Sequence, residues 1–271
     1  MLIAQVTDPH IKAEGKLAYR KVDTAANLSR CVDHLLRIKQ RPDCVLMTGD
    51  LTDFGRPDEY RLLRELLASL EMPIYVIPGN HDERENFRRA FSSHPYIPRE
   101  GDIRYVVDDY PLRMIGLDST IPGKPGGEMS ADRLDWLDRQ LRARPEVPTL
   151  LFMHHPPIIT GIAHMDVQNC ANAEGLGDLL EGHPQVFQIL CGHVHRPIQT
   201  VWRGVNVAIA PSASHYVALD LGNDSPREFF LEPPSVFLHY WNEGSLVTHL
   251  SFVGEFDGPY PFFDEYGNLI D

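Results

Sequence analysis

"VFQILCGHVH", residues 186–195, places two histidines directly after an apolar run. The run predicts a buried strand, and alternation along a strand predicts that His193 and His195 point to the same side. Gly192 adds a flexible backbone position between the run and the pair. A lone pair of this kind is more often a solvated surface feature than a metal site, so its interpretation depends on partners elsewhere in the chain.

The same arrangement recurs at four earlier points, where an apolar run ends in side chains that can bind a metal ion. These runs are "LIAQVTD" with Asp8 and His10, "DCVLMTGD" with Asp50, "PIYVIPGNHD" with Asn80 and His81, and "TLLFMHH" with His154 and His155. Alone, an aspartate after a strand is usually a turn former, and "GNHD" or "HHPP" is a plausible loop. Five such clusters in succession predict one site at the carboxyl ends of the strands.

The donor atoms of these side chains indicate which metal ions the site suits. The donors are two aspartates, one asparagine and four histidines, without a thiolate. This mixed oxygen and nitrogen set suits Zn²⁺, Mn²⁺, Fe or Co²⁺ better than Ca²⁺ or a cysteine-rich structural zinc. Seven donors are too many for one ion that keeps an open position. They fit two divalent ions that share a carboxylate, which predicts metal-assisted hydrolysis of a phosphoryl compound.

The order of the predicted elements indicates the fold class. Apolar runs alternate with helical periodicity up to about residue 195, and short strand runs follow without helices between them. We expect helices over 23–40, 57–70, 83–91, 130–143 with Ser130 as N-cap, and 172–182, and a hairpin over 103–119. The pattern predicts an α/β fold of two facing sheets flanked by helices. The expected units are a catalytic domain over 1–253 and a C-terminal tail over 254–271.

Charge and composition exclude several classes of partner. The 271-residue chain has 25 basic and 38 acidic side chains, which gives a net charge of −13. This balance argues against a nucleic-acid polymer, whose binding needs a basic surface to displace counterions. No apolar stretch approaches the roughly 20 residues of a membrane-spanning helix, and no signal peptide opens the sequence, so no membrane partner is expected. The four cysteines form no C-x-x-C pair, and we expect reduced thiols in the cytoplasm.

Taken in order, D-x-H, GD-x-x-D, GNHD, HH and GH-x-H make the chain resemble the calcineurin-like binuclear metallophosphoesterases over residues 1 to about 215. Within that family it is most similar to the bacterial class III cyclic-nucleotide phosphodiesterases and glycerophosphodiesterases, in which "DPH", "GRPDEY" and "MHHPP" recur. The resemblance implies a four-layer αββα sandwich with two mixed sheets flanked by helices. That architecture agrees with the order of the elements.

The resemblance also implies a role for each residue of the motifs. One metal ion would be held by Asp8, His10 and His195, the other by Asn80, His154 and His193, with Asp50 bridging the two. His81 would face the substrate, either donating a proton to the leaving oxygen or stabilising the charge of the transition state. Asp53 would orient His81 through a hydrogen bond.

The implied function is hydrolysis of small-molecule phosphodiesters, such as glycerophosphodiesters, by a metal-bound hydroxide. The arginine-bearing motifs that grip a phosphate dianion in the eukaryotic Ser/Thr phosphatases are replaced here, which favours a diester. Three histidines are candidate contacts for the substrate: His155, His164 and His215. A 3′,5′-cyclic-nucleotide phosphodiesterase is the alternative. A non-catalytic interaction scaffold is a remote one, because the chain keeps every ligand of the motifs.

The aromatic tail contains "YPFFDEY" (260–266) and, with the region 51–72, is expected to supply contacts of a homo-oligomer, a dimer or larger. The tail would then pack on a neighbouring subunit. The alternative is that Phe262 and Phe263 pack on the core of their own chain.

Overall fold

A computed structural model of the chain describes residues 1–222, 224 and 226–270. Within these residues the helices are α1 (Thr24–Arg37), α2 (Pro57–Leu67), α3 (Arg84–Ala90), α4 (Ala131–Ala143), α5 (Ala163–Asp166) and α6 (Ala173–Glu181). The strands up to residue 195 are β1 (Leu2–Val6), β2 (Cys44–Thr48), β3 (Ile74–Ile77), β4 (Tyr105–Val107), β5 (Arg113–Leu117), β6 (Gly127–Glu128), β7 (Thr149–Met153), β8 (Cys170–Ala171) and β9 (Val186–Cys191). The later strands are β10 (Ile198–Trp202), β11 (Val205–Ile209), β12 (Tyr216–Val217), β13 (Phe229–Phe230), β14 (Ser235–Asn242) and β15 (Ser245–Phe252).

The longer strands form two mixed sheets, as expected. In the first sheet the order is β15-β14-β1-β2-β3, where β1, β2 and β3 are parallel and β14 and β15 are antiparallel. In the second the order is β10-β11-β9-β7-β5-β4, with four parallel inner strands and an antiparallel strand at each edge. The predicted hairpin over 103–119 is the antiparallel pair of β4 and β5.

Side-chain alternation along the second sheet creates the layers. Met114 and Phe152 belong to the core that faces the first sheet and extends to α1 and α2. Their chain neighbours Ile115 and Leu151 belong to a second core, which also includes residues of α4 and α6. Because successive residues of a strand point to opposite faces, each inner strand is covered on both sides. The αββα sandwich is therefore confirmed.

Local contacts explain where the helices begin. The Asp23 carboxylate accepts a hydrogen bond of 3.0 Å from the Ala26 N–H, so α1 has a conventional N-cap. Ser130 is the N-cap of α4, as predicted, although its hydroxyl makes no capping hydrogen bond. Arg133 anchors the first turn instead, because its guanidinium donates to the Asp102 carboxylate at 2.8 Å. None of the described helices is both long and apolar enough to cross a bilayer.

The sandwich brings the carboxyl ends of five strands to one rim. Strands β1, β2 and β3 end there from the first sheet, and β7 and β9 end there from the second. Strand β9 ends at Cys191, so His193 and His195 lie in the loop beyond it, with φ of 72° and 56°. The expectation that strand alternation aligns these two histidines is wrong, because left-handed backbone turns, rather than the pleat, set their directions.

Candidate metal centre

The backbone at the rim is held in an uncommon conformation. Five of the seven candidate ligands have positive φ, namely Asp8, His10, Asp50, His193 and His195. Non-glycine residues adopt this left-handed region at a cost and persist there when surrounding contacts hold them. The holding contacts are main-chain hydrogen bonds of 3.1 Å from Asp8 N to Gly49 O and from His10 N to Asp50 O. A further bond of 3.0 Å joins His193 N to the Asp8 carboxylate.

A first group of donors consists of Asp8, His10 and His195. Asp8 Oδ1 lies 3.2 Å from His195 Nε2 and 3.9 Å from His10 Nε2. The two histidine Nε2 atoms are 3.2 Å apart. All three side chains are buried. Their ligand atoms converge on one small space, as the ligands of one ion would.

A second group contains Asn80, His154 and His193. His154 Nε2 lies 3.2 Å from Asn80 Oδ1, and the His154 and His193 rings are 5.2 Å apart. Asp50 stands between the two groups, because its Oδ2 is 3.4 Å from His154 Nε2 and 3.6 Å from His10 Nε2. This is the position of a carboxylate that can reach both ions.

These separations fit metal coordination. Ligand atoms about 2.0–2.2 Å from one ion stand roughly 3–3.5 Å from one another in its coordination shell. The buried His193 Nε2 has no hydrogen-bond partner among the described residues, although a buried polar atom is normally paired. An ion bound by this group would supply the missing partner.

Main-chain carbonyls fix how the histidines present their nitrogens. His154 Nδ1 lies 2.8 Å from Thr48 O, and His195 Nδ1 lies 3.2 Å from His215 O. A carbonyl oxygen only accepts, so each Nδ1 carries the hydrogen and each Nε2 offers its lone pair to the centre. Behind His10, Asp53 Oδ1 lies 3.4 Å from Nδ1 without forming a hydrogen bond. Such contacts behind the ligands orient them and strengthen metal binding.

Burial and neighbouring charges hold most of the candidate ligands in the protonation state that binds metal. Burial raises the pKa of Asp8 and Asp50, but the surrounding histidines outweigh it and hold both pKa values below the usual range. Burial lowers the pKa of His193 to about 3, so this ring is neutral and able to bind metal. Burial also disfavours the charged form of His154, yet the neighbouring Asp50 raises the pKa of His154 to about 9. A metal ion must displace that proton.

His81 lies beside the two groups and is partly open to solvent, with 35% of its side chain exposed. Its Nδ1 donates to the main-chain oxygen of Asp53 at 2.8 Å. The Asp53 carboxylate is farther from that nitrogen, at 3.8 Å, and pairs with Lys12 Nζ at 2.7 Å. The contact between Asp53 and His81 therefore exists, but the carbonyl makes it and the carboxyl group serves His10 and Lys12.

The three histidines expected to contact substrate have different surroundings. His155 is fully buried, and its two ring nitrogens contact Ser119 Oγ at 2.9 Å and Pro125 O at 3.2 Å. It has no nitrogen left for a substrate and does not line the cavity at the rim. His164 and His215 do line that cavity. Burial lowers the pKa of His215 to about 2, so it faces the cavity as a neutral ring.

The cavity above the donors has a volume of about 250 Å³ and includes residues that the sequence interpretation missed. Tyr19 and Phe229 form an aromatic wall, with ring centroids 5.1 Å apart. Arg227 also lines the cavity, which corrects the expectation of a site without an arginine. These residues lie outside the ligand motifs, in irregular segments and a two-residue strand. No spacing or periodicity pointed to them.

Asp82 is a further residue whose importance was missed. Its carboxylate accepts main-chain hydrogen bonds of 3.0 Å from Leu51 N and Gly79 N and 3.2 Å from Thr52 N. It also accepts one of 2.8 Å from the Tyr60 hydroxyl. These bonds tie the loop after β3, which carries Asn80 and His81, to the loop after β2, which carries Asp50. Asp82, the last residue of "GNHD", thus joins the two loops that carry these candidate ligands.

Comparisons with known proteins agree with this geometry. The profile of the calcineurin-like phosphoesterase family matches residues 1–197. The chain is 50% identical over 273 residues to a probable glycerophosphodiester phosphodiesterase of Arcobacter nitrofigilis, with 100% of both chains covered. It is 34% identical to a probable cyclic nucleotide phosphodiesterase of Rhodopseudomonas palustris, over 96% of this chain and 94% of the relative.

A solved structure shares the fold. The dimetal phosphatase from Danio rerio superimposes with a TM-score of 0.68 at 18% identity. The superposition covers 94% of this chain and 97% of that one. At this low identity the match concerns the architecture alone.

Gly192 gives a steric test of the rim. A Cβ at this position would lie 2.1 Å from Thr7 Oγ1 and 2.7 Å from Asp8 Oδ2. We expect Gly192→Ala to lower the free energy of unfolding by about 1–3 kcal/mol through overpacking and to weaken metal binding at least tenfold. Gly182→Ala is the control, because its nearest atom would be Leu179 O at 3.4 Å. Denaturation and metal titration measure both effects, and equal behaviour of the two variants would contradict the prediction.

The pKa of His154 predicts how metal binding depends on pH. At pH 7 a group with a pKa of about 9 is protonated, so loading the centre should release about one proton from His154. Protons compete less as the pH rises, and the apparent metal affinity should increase up to about pH 9. Calorimetric titration with Zn²⁺ in buffers of different ionisation enthalpy measures the release. An affinity that stays constant between pH 6 and 9, with no proton released, would refute this assignment.

Proposed function

The chain belongs to the calcineurin-like phosphoesterase family, and on that premise we propose that it hydrolyses small-molecule phosphodiesters, with glycerophosphodiesters as its substrates. One observation carries the proposal, namely two groups of metal-binding side chains joined by Asp50 beneath a cavity. The cavity volume of about 250 Å³ suits a small molecule. The relative from Arcobacter nitrofigilis supports the substrate class through its name and its 50% identity.

In this proposal Asp8, His10 and His195 hold one ion, Asn80, His154 and His193 hold the other, and Asp50 contacts both. The donors favour Fe, Mn, Zn or Co, because oxygen and imidazole ligands occur without thiolate. When bound, the two ions supply positive charge for the phosphoryl oxygens and acidify a water molecule. Arg227 adds a positive charge to the wall of the cavity.

His81 presents the nitrogen needed to assist the leaving group. Because its Nδ1 donates to Asp53 O, its Nε2 is the nitrogen that can exchange a proton with a substrate. In the protein without metal, burial lowers the pKa of His81, but Asp50 and the Asp53 carbonyl outweigh it and raise the pKa above its usual value. A protonated Nε2 can donate to the departing alkoxide. If it keeps the proton, it stabilises the developing negative charge.

The first experiment is a substrate panel on protein stripped of metal and reloaded with Mn²⁺, Zn²⁺, Co²⁺ or Fe²⁺. It compares glycerophosphoethanolamine, cyclic AMP, bis(p-nitrophenyl) phosphate and p-nitrophenyl phosphate. We expect turnover of diesters only with metal, and highest kcat/KM for the glycerophosphodiester. Higher kcat/KM for cyclic AMP would favour the cyclic-nucleotide alternative, which the Rhodopseudomonas palustris relative supports.

Asn80→Ala should weaken metal binding and lower kcat/KM at least tenfold, since it removes an oxygen donor from the second group. Asn206→Ala is the matched control, because Asn206 lies on β11 with its side chain exposed, outside the rim. Folded protein that no metal activates toward any phosphoester would contradict the enzymatic function and support the scaffold alternative.

The role of His81 can be read from the leaving group. A proton donor matters most when the departing alkoxide is strongly basic. His81→Ala should therefore reduce kcat for glycerophosphoethanolamine roughly 10²-fold or more, but affect the nitrophenolate of bis(p-nitrophenyl) phosphate far less. Equal losses for both substrates would instead assign His81 to charge stabilisation, and no loss for either would remove it from the mechanism.

A further inference from the structure

A buried amide lies in the core between the two sheets, below the metal centre. Gln5, on β1, is fully buried. The residues opposite it on the neighbouring strands are Phe237 and Leu46, and both belong to the apolar core. Burying an amide costs free energy unless its hydrogen bonds are formed, and an apolar side chain of similar size would avoid that cost. Packing alone therefore does not account for a glutamine at this position.

The Gln5 amide joins β1 to the ends of two other strands. Its Nε2 donates at 3.0 Å to the hydroxyl of Thr48, the last residue of β2. The same nitrogen donates at 2.9 Å to the main-chain oxygen of Cys191, the last residue of β9, and this bond links the first sheet directly to the second. Asp50 follows Thr48 by two residues, and His193 follows Cys191 by two. The amide thus holds two strands at the points from which candidate ligands leave them.

Thr48 extends this link to a third ligand strand. Its main-chain oxygen accepts the hydrogen bond of 2.8 Å from His154 Nδ1. His154 follows β7, which is the neighbour of β9 in the second sheet. Gln5 is therefore connected through Thr48 to ligands that follow β2 and β7, and through Cys191 to the pair that follows β9.

The oxygen of the amide is held by His239, a fully buried histidine on β14 that the proposed hydrolysis does not use. An amide oxygen only accepts, so His239 Nε2 donates to Gln5 Oε1 at 3.1 Å. His239 Nδ1 then accepts from the Thr248 hydroxyl at 2.8 Å. Burial lowers the pKa of His239 to about 3, which keeps the ring neutral. With both of its nitrogens paired, His239 orients the amide so that its N–H groups face Thr48 and Cys191.

We infer that Gln5 is a positioning residue, oriented by His239, that fixes the two sheets relative to each other at the metal centre. The inference rests on the proposed two-metal function, because each group of donors takes side chains that follow strands of both sheets. A displacement of one sheet against the other would therefore open both groups together. Hydrogen bonds are directional and resist such a displacement, whereas apolar contacts between the sheets have no preferred direction.

Metal titration of Gln5→Met tests the inference. Methionine fills a similar volume but donates no hydrogen bond from its side chain, so the link between the sheets is lost. Metal-stripped protein titrated with Co²⁺, and followed by the visible absorption of the ion, should bind both ions about tenfold more weakly than the wild type. Gln188→Met is the matched control, because Gln188 is a buried glutamine on β9 whose amide donates to Ile189 O of the same strand, at 3.2 Å. It should bind Co²⁺ as the wild type does.

Substitution of His239 gives a second test that leaves Gln5 in place. His239→Ala should also weaken Co²⁺ binding, because the amide is then free to rotate. His239→Gln should keep the wild-type affinity, since its own amide can donate to Gln5 Oε1. A purely structural role predicts a different result, in which Gln5→Met and His239→Ala unfold more easily but their folded forms bind Co²⁺ normally.

The outcomes separate this inference from the proposed function. If the wild type binds two Co²⁺ ions and folded Gln5→Met binds them equally well, the inference is overturned and the proposed function stands. Weaker binding of one ion alone would also overturn it, since the link supports both groups. A wild type that binds no Co²⁺ would overturn both. Circular dichroism checks the fold, and if Gln5→Met does not fold, the difference between His239→Ala and His239→Gln decides the question.

Discussion

The carboxylate of Asp50 sits where the two halves of the molecule meet, and much of the structure serves to keep it there. It lies 3.4 Å from His154, supplied by the second sheet, and 3.6 Å from His10, supplied by the first. A buried anion among histidine rings is tolerable only if positive charge compensates it. In the protein without metal, the raised pKa of His154 provides part of that charge. With metal, two ions would provide it, so binding of metal and order at the rim should depend on each other.

The rim also explains why the sandwich needs both sheets. Three parallel strands bring Asp8, Asp50 and Asn80 to one edge, and two strands of the other sheet bring His154 and the pair after β9. Side chains on a strand point toward one or the other face of the sheet and not toward the rim. The ligand residues therefore lie beyond the strand ends, where the backbone turns. The left-handed backbone at five of these residues makes that turn. Its cost is offset by hydrogen bonds between neighbouring loops, such as those that Asp82 accepts.

Sequence reasoning predicted the sandwich and five of the six described helices, all except α5, and proposed the candidate ligands, because each of these depends on a local pattern. An apolar run that ends in Asp or His can be recognised without knowing which residues it contacts in the folded protein. Sequence reasoning failed where contacts join residues that are far apart in the chain. Strand alternation could not describe His193 and His195, since the strand had already ended. His155 looked available beside His154, but Ser119 and Pro125 occupy its nitrogens from other segments. Arg227 and Phe229 reach the cavity only because the chain returns to it after β12.

The negative net charge of the chain opposes the approach of an anionic substrate, and groups within the cavity compensate for it locally. A chain at −13 repels an anionic diester on average. That repulsion is screened beyond about 8 Å at physiological salt, so the groups within the cavity decide whether the substrate enters. There the buried carboxylates would be neutralised by the ions they bind, and Arg227 adds positive charge at the wall. The metal centre is therefore a local exception on an acidic protein.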